Sequence, residues 1–359
     1  MGEMLGVGVT HFPGFLRKDD DMAFLLRQAL KSNKVPAHLK DPQNWPAKMR
    51  EEWGTDEGNA AAARHRQQVI DDFRMIRRRI EEFNPDFILI WGDDQYEHFT
   101  EECVPPFCIF MLDEIVNTPY LNMDFNPREH NIWGEPLDQV FRWRGHRQAA
   151  GYLTQKLIDR GYDMPYAYRL REGHSISHSF LGTLLFLDYD RTGFDIPVVP
   201  FHVNCYGSTV VRSKGGMGHL EDSAAATFDP TAPPPWRCFD IGRETARILR
   251  DSPWRVVLMA SSSWSHAFLT EKNYWIFPDV ESDLNLLEAL RAGRYERFRE
   301  LTLPEVEDAG QHEILNWVCL AGALHELNYR PDFVDYAESY VFNSDKCMAV
   351  FSPGERVTA

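Results

Sequence analysis

Four apolar runs stand out from the polar background, and each stops at a polar or turn residue. MLGVGV (4–9) runs into Thr10, His11 and the Pro13-Gly14 turn; FILIW (87–91) runs into Gly92-Asp93-Asp94; VVPFHV (198–203) ends at Asn204; and VVLMA (256–260) ends at three serines. Runs of this length read as buried strands. Between the first two lies NAAAARHRQQVIDDFRMIRRRIEEF (59–83), where Val69, Phe73, Ile76 and Ile80 fall on one helical face and charges on the other, and Asn84-Pro85 ends the pattern. Strand, one-faced helix, strand is the signature of a parallel crossover. FCIFML (107–112) adds a strand, RGHRQAAGYLTQKLIDRGY (144–162) and DIGRETARILRD (240–251) add helices, and from Asp283 onward the three-four spacing is helical. The expected architecture is α/β: a central mixed, mostly parallel sheet flanked by helices, in one domain over residues 1–359.

In such a sheet, ligands collect at the carboxyl ends of the strands. His11 and the stretch WGDDQYEHF (91–99) therefore belong on one rim. Residues 20–58 and 117–143 carry no clear period and read as insertions around it, the first as a surface excursion or lid; loops of this kind commonly set specificity. The Pro-rich ATFDPTAPPPWRC (226–238) reads as a loop, since helix and strand resume directly after it.

Composition narrows the partner class. A chain of 359 residues with 43% hydrophobic content can bury a sizeable core, and a formal charge of −16 argues against a dedicated nucleic-acid binder. A small molecule is the better partner. No stretch approaches the ~18 apolar residues of a membrane span. The six cysteines form no CxxC pair, which fits a reduced cytoplasm and excludes a zinc ribbon.

Histidines recur at or after the strand ends: His11, His174 and His178 in REGHSISHSF, His202, and His266 in SSSWSHAF. Their convergence on one rim points to a metal or acid/base site. Imidazole nitrogen with carboxylate oxygen suits Fe(II), Zn or Mn. The carboxylate partner comes either from Asp93, Asp94 or Glu97, or from FPDVESD (Asp279, Glu281, Asp283), and spacing alone does not choose.

VTHFPG, NPDFILIWGDDQYEHFTEECVPPFCIF, REGHSISHSF, VVPFHVN, MASSSWSHAF, VESDLNLLEAL and GQHEILNWVCLAGAL, in this order, resemble the class III extradiol ring-cleavage dioxygenases, the group of the protocatechuate 4,5-dioxygenase β subunit and 2,3-dihydroxyphenylpropionate dioxygenase. The resemblance implies a non-haem Fe(II) enzyme, with Zn or Mn as alternative ions. Such an enzyme opens an aromatic ring bearing adjacent hydroxyls, or a hydroxyl beside an amine, with O2. It further implies a helical C-terminal region covering the site and a homodimer or larger homo-oligomer. It puts metal ligands at His11 and Glu281, the acid/base role at His174, a substrate contact or a support to the ligands at His178, and the family's S-H position at His266, where the ring can orient a ligand through its N–H. Gln95 falls where the family has a second iron-binding His, with Glu97 and His98 as neighbouring substitutes for it, or His178 and His202 as more distant ones. The competing expectation is a metal-dependent hydrolase or a non-catalytic metal-binding relative on the same fold.

Overall fold

The computed structural model describes residues 2–122, 131–208 and 230–353. In chain order the elements are β1 (Glu3–Val9), α1 (Phe24–Lys31), α2 (Ala47–Trp53), α3 (Asn59–Phe83), β2 (Phe87–Gly92), β3 (Phe107–Phe110), β4 (Glu114–Asn117), α4 (Pro119–Asn122), β5 (Phe141–Arg144), α5 (Arg147–Asp159), β6 (Tyr166–Ala167), α6 (His178–Leu187), β7 (Val198–Val203), α7 (Pro235–Arg250), β8 (Arg255–Ser261), α8 (Val280–Arg291), α9 (Glu296–Arg299), α10 (Leu303–Asp308), α11 (Ile314–Leu327), β9 (Tyr329–Ala337) and β10 (Lys346–Pro353). One eight-stranded sheet runs β6-β3-β7-β2-β8-β1-β10-β9, and β4 pairs with β5 in a separate ribbon. Its four central strands, β7-β2-β8-β1, are mutually parallel. Strand β3 runs antiparallel to β7, and β10 antiparallel to β1. The sheet is mixed and mostly parallel, as the patterning predicts.

Successive side chains on a strand point to opposite faces, so an unbroken apolar run implies cover on both sides. Strand β2 shows this directly. Phe87, Leu89 and Trp91 join the core under α5, α7 and α11, while Ile88 and Ile90 join the core under α3 and α6. Strand β1 is asymmetric: Leu5, Val7 and Val9 face α3 and α6, whereas the opposite face carries Gly6 and Gly8. A Cβ on Gly8 would lie 2.0 Å from the Trp317 ring, and one on Gly6 would lie 2.6 Å from Leu324. The missing side chains let α11 lie against β1, with its residue numbers falling toward the carboxyl rim. The start of α11 is thereby delivered beside the residues that follow β1.

Two regions carry more structure than their patterns suggest. The C-terminal region is helical only as far as Leu327; it ends in the β9–β10 pair, whose outer strand is half exposed and lacks the continuous apolar pattern of the central strands. The insertion at 20–58 is more than a surface excursion. Leu26, Val35, Leu39, Trp45 and Met49 form a satellite core with Ile276 and Tyr340, and Glu52 accepts the backbone N–H groups of Tyr340 and Val341 at 2.9 and 3.0 Å. The second insertion contributes the ends of the β4–β5 ribbon; its residues 123–130, like 226–229 of the Pro-rich loop, lie outside the described residues.

The face of α3 that meets β9 carries one unfavourable contact. Burial, and then the charge of Asp335, push the Asp72 carboxyl up from 3.8 to about 8. The folded protein therefore holds a proton here that the unfolded chain releases near pH 4, and stability falls as pH rises through about 8. Asp72→Asn is expected to raise the melting temperature at pH 8 to 9 and to lose that advantage near pH 4. A gain equal at both pH values, measured by thermal unfolding, would count against the repulsion.

Candidate functional site

The carboxyl ends of β1, β2 and β8 meet the start of α11 at one point on the rim. His11 follows β1, Asp93 follows β2, and Glu313 is the N-cap of α11. One ligand atom from each lies within 4.8 Å of the others, and all three residues are buried.

The surroundings of each group dictate its state. His11 Nδ1 lies 2.9 Å from Ser261 Oγ, which itself donates to the Ser179 carbonyl oxygen. Ser261 Oγ also meets Thr183 Oγ1 at 2.6 Å; in the tautomer whose Nδ1–H donates to Ser261, Nε2 has a lone pair to offer. Nε2 faces Glu313 Oε2 at 3.5 Å. Glu313 also faces His266 Nε2 at 3.5 Å from Oε1, receives the Tyr206 hydroxyl at 2.7 Å on Oε1, and receives the Ser263 N–H at 3.2 Å on Oε2. Burial would raise its pKa; His266, His11 and these hydrogen bonds outweigh burial and hold the carboxyl far below the usual range. Asp93 is the opposite case. Burial, then the neighbouring Glu313 charge, push it well up, Asn316 Nδ2 donates to Oδ1 at 3.1 Å, and Oδ2 is buried with no hydrogen-bond partner among the described residues.

Two neighbouring buried carboxylates, one of them with an oxygen that has no hydrogen-bond partner among the described residues, cannot both ionise at low cost. A divalent cation removes that conflict, and one imidazole nitrogen with two carboxylate oxygens is a fitting donor set for it. The cluster is thus a candidate metal centre.

The WGDDQYEHF stretch divides its labour. Asp94 closes the loop, its carboxylate accepting the N–H groups of Glu97, His98 and Phe99 at 3.2, 3.0 and 3.2 Å. Glu97 turns away from the cluster and binds His178 through both its backbone N–H and Nδ1, each at 2.8 Å. Burial lowers the His178 pKa, but Glu97, Asp93 and Glu313 more than compensate and raise it to about 10. His178 stays charged, and its ring meets His11 edge-on at 4.9 Å. Gln95 presents its amide nitrogen, not its carbonyl oxygen, to Tyr206 Oη at 2.9 Å and Glu313 Oε1 at 3.2 Å. His98 packs between Phe99 and Phe110, where burial lowers its pKa to about 4. His202 is equally buried, at the end of β7 against Phe99.

The sequence-level ligand set is accordingly corrected. Glu281 is exposed on the first turn of α8 and does not reach the cluster, because that helix turns its apolar side inward and Glu281 outward. Glu97 is consumed by His178, and His98 points into aromatic packing. His11 is at the cluster, Gln95 borders it as a donor, and Asp93 and Glu313 complete it. Of the imidazoles, His266 is adjacent to Glu313 and buried, with its pKa lowered chiefly by burial. His178 is adjacent to His11 as the first residue of α6. His174 lies half-buried before α6, not on a shared helical face, and its Nδ1 is 3.0 Å from the Glu97 carbonyl oxygen. Glu313 had a readable signal: it immediately precedes ILNWVCLAGAL, a helix apolar on every side, so an acid at its start is drawn indoors and needs partners.

Residues 224–343 match the family model described as the catalytic LigB subunit of aromatic ring-opening dioxygenase, a span that contains His266 and Glu313. A 2,3-dihydroxyphenylpropionate/2,3-dihydroxicinnamic acid 1,2-dioxygenase of Pseudomonas putida is 28% identical over 39% of this chain and 38% of its own length. Enzymes of the same name from a Rhodococcus species and from Rhodococcus jostii (strain RHA1) are each 25% identical over 72% of this chain and 83% of theirs. The chain thus spans well under half of the first of these relatives and most of the other two. With the rim cluster and the parallel-centred sheet, these matches show a chain similar to the class III extradiol dioxygenase superfamily of aromatic ring-opening enzymes.

Proposed function

We propose that the protein opens an aromatic ring bearing two adjacent hydroxyls, or a hydroxyl beside an amine, by incorporating both atoms of O2, with non-haem Fe(II) as cofactor. One observation carries this reading: an imidazole nitrogen and two buried carboxylates converge within 4.8 Å, flanked by two further buried imidazoles. His11, Asp93 and Glu313 would hold the ion. When bound, Fe(II) supplies a template with open positions for a chelating substrate and for O2.

The remaining chemistry falls to the chain. His266 presents Nε2 at the edge of the cluster, placed to take a phenolic proton, and burial lowers its pKa. His178, held charged by Glu97, supplies a fixed positive charge beside His11, where negative charge develops, and is a proton donor for the return step. His174, half-buried near the Glu97 backbone, is a substrate contact. The names of the relatives make substituted catechols the first substrates to try. Five buried cysteines and an exposed Cys103, all unpaired, favour a reducing cytoplasm. No helix among the described residues is long and apolar enough to cross a membrane.

Protein purified without O2 and reconstituted with Fe(II) is expected to retain stoichiometric iron and to consume O2 with members of a catechol and aminophenol panel. Substoichiometric iron together with no uptake for any compound would overturn the proposal. A second reading, a metal-dependent hydrolase or non-catalytic relative, is favoured by one feature: the cluster is completed by the carboxylate of Asp93, while the position at which the family has imidazole holds the amide of Gln95. Tight Zn binding without O2 consumption would select it.

A further inference from the structure

We propose that Gln95 is a positioning residue rather than a ligand, and that with Tyr206 it clamps Glu313 so that only one carboxylate oxygen is free for the cation. The inference rests on the reading of His11, Asp93 and Glu313 as a cation site. Three hydrogen bonds close a triangle: Tyr206 Oη donates to Glu313 Oε1 at 2.7 Å, Gln95 Nε2 donates to the same oxygen at 3.2 Å, and Gln95 Nε2 also donates to Tyr206 Oη at 2.9 Å. The last bond sets the phenol rotor. Because the Tyr206 oxygen accepts from the amide, its own proton is directed at Glu313. The ring plane is fixed in turn by His312, stacked at 5.4 Å and 17°.

The two oxygens of Glu313 are therefore inequivalent. Oε1 already takes two donors, and a carboxylate oxygen so occupied has little electron density left for a cation. Among the described residues Oε2 takes one backbone donor, the Ser263 N–H, and it faces His11 Nε2 at 3.5 Å. One-oxygen ligation by Glu313 leaves a coordination position that a chelating carboxylate would fill, and that position is what a second reactant needs. An imidazole at residue 95 would bind the ion itself; the amide here acts on the ion through Glu313.

Titration with Co2+ alone under anaerobic conditions, followed by calorimetry and by the d–d absorption of the bound ion, separates the roles. Gln95→Leu and Tyr206→Phe are each expected to weaken Co2+ binding by about 10–100-fold, the usual cost of losing a partner that orients a ligand. The double variant should be little worse than either single one, since both remove one device. Gln95→Glu is the discriminating case. A ligand at position 95 would bind at least as tightly as a carboxylate, whereas the clamp needs an N–H donor, so Gln95→Glu should be weaker than the parent. Unchanged or tighter binding in Gln95→Glu, with circular dichroism and melting temperature preserved, would overturn the clamp alone. Failure of the parent protein to bind Co2+ would overturn the cation site and the clamp with it.

Discussion

Glu313→Gln is expected to abolish divalent-cation retention and ring cleavage while leaving the fold intact. The substitution is nearly isosteric; a carbonyl oxygen in the place of Oε1 still accepts from Tyr206 and Gln95, and only the bond that Oε2 takes from the Ser263 N–H is given up, so the start of α11 keeps most of its partners. It does not keep the charge that balances His11 and His266 and that a cation requires. The loss in metal affinity should exceed the ~10–100-fold typical of changes one step removed from a ligand. Glu281→Gln is the matched control. Its side chain is exposed on the first turn of α8, so stability should change by no more than ~0.5 kcal/mol and cation binding not at all. Metal analysis of both variants after anaerobic reconstitution decides the matter: retention of iron by Glu313→Gln, or loss in Glu281→Gln, would reverse the ligand assignment.

His178→Leu is expected to cost about 3–5 kcal/mol of folding stability, the penalty for leaving one member of a buried ion pair without the other. Glu97 would retain only backbone donors, among them the N–H of Gln95 at 3.2 Å and that of residue 178. Adding Glu97→Gln should recover part of the loss, because an amide is far cheaper to bury than an unpaired carboxylate. Urea unfolding of the two single variants and the double one gives the coupling; simple additivity would mean that the pair contributes nothing as a pair. The pH dependence follows from the two shifts. His178 and hydrogen bonds to Glu97 outweigh burial and lower its pKa from 4.5, so its share is present above pH 4.5 and lost as pH falls further. The raised pKa of His178 makes its share complete below 6.5 and lost as pH rises through about 10. The pair is strongest between roughly pH 4.5 and 6.5.

Which parts of this could be read from sequence follows from how local the physics is. The central strands and α3 were legible because burial on both faces, or on one, imprints directly on the residue pattern. His11 was legible because a turn follows its strand. Strand β9 was not, since an outer strand carries polar residues that mimic a loop. The ligand pair is more instructive. Glu281 and Glu313 both open helices and look alike as acids at an N-terminus. They differ in the helix behind them: Leu284 and Leu286 of α8 lie on opposite sides of its surface, one exposed and one buried, whereas α11 is buried from Ile314 through Leu324. Gln95 sits where the resemblance puts it, but which end of its amide faces Glu313 depends on Tyr206, more than a hundred residues away, and no local pattern contains that.

The strand order also constrains how the molecule is made. Strand β1 is flanked by β8 and β10, with Gly6 opposite Phe351, so it finds neither neighbour until β8 has been made. At ~5–20 residues per second, translating the stretch between β1 and β8 takes about 12–50 s. Throughout that interval the nascent chain carries an apolar ribbon with both edges open, and pairing over such separations is intrinsically slow. Productive folding of this polypeptide therefore depends on shielding that ribbon from other chains until β8 has left the ribosome.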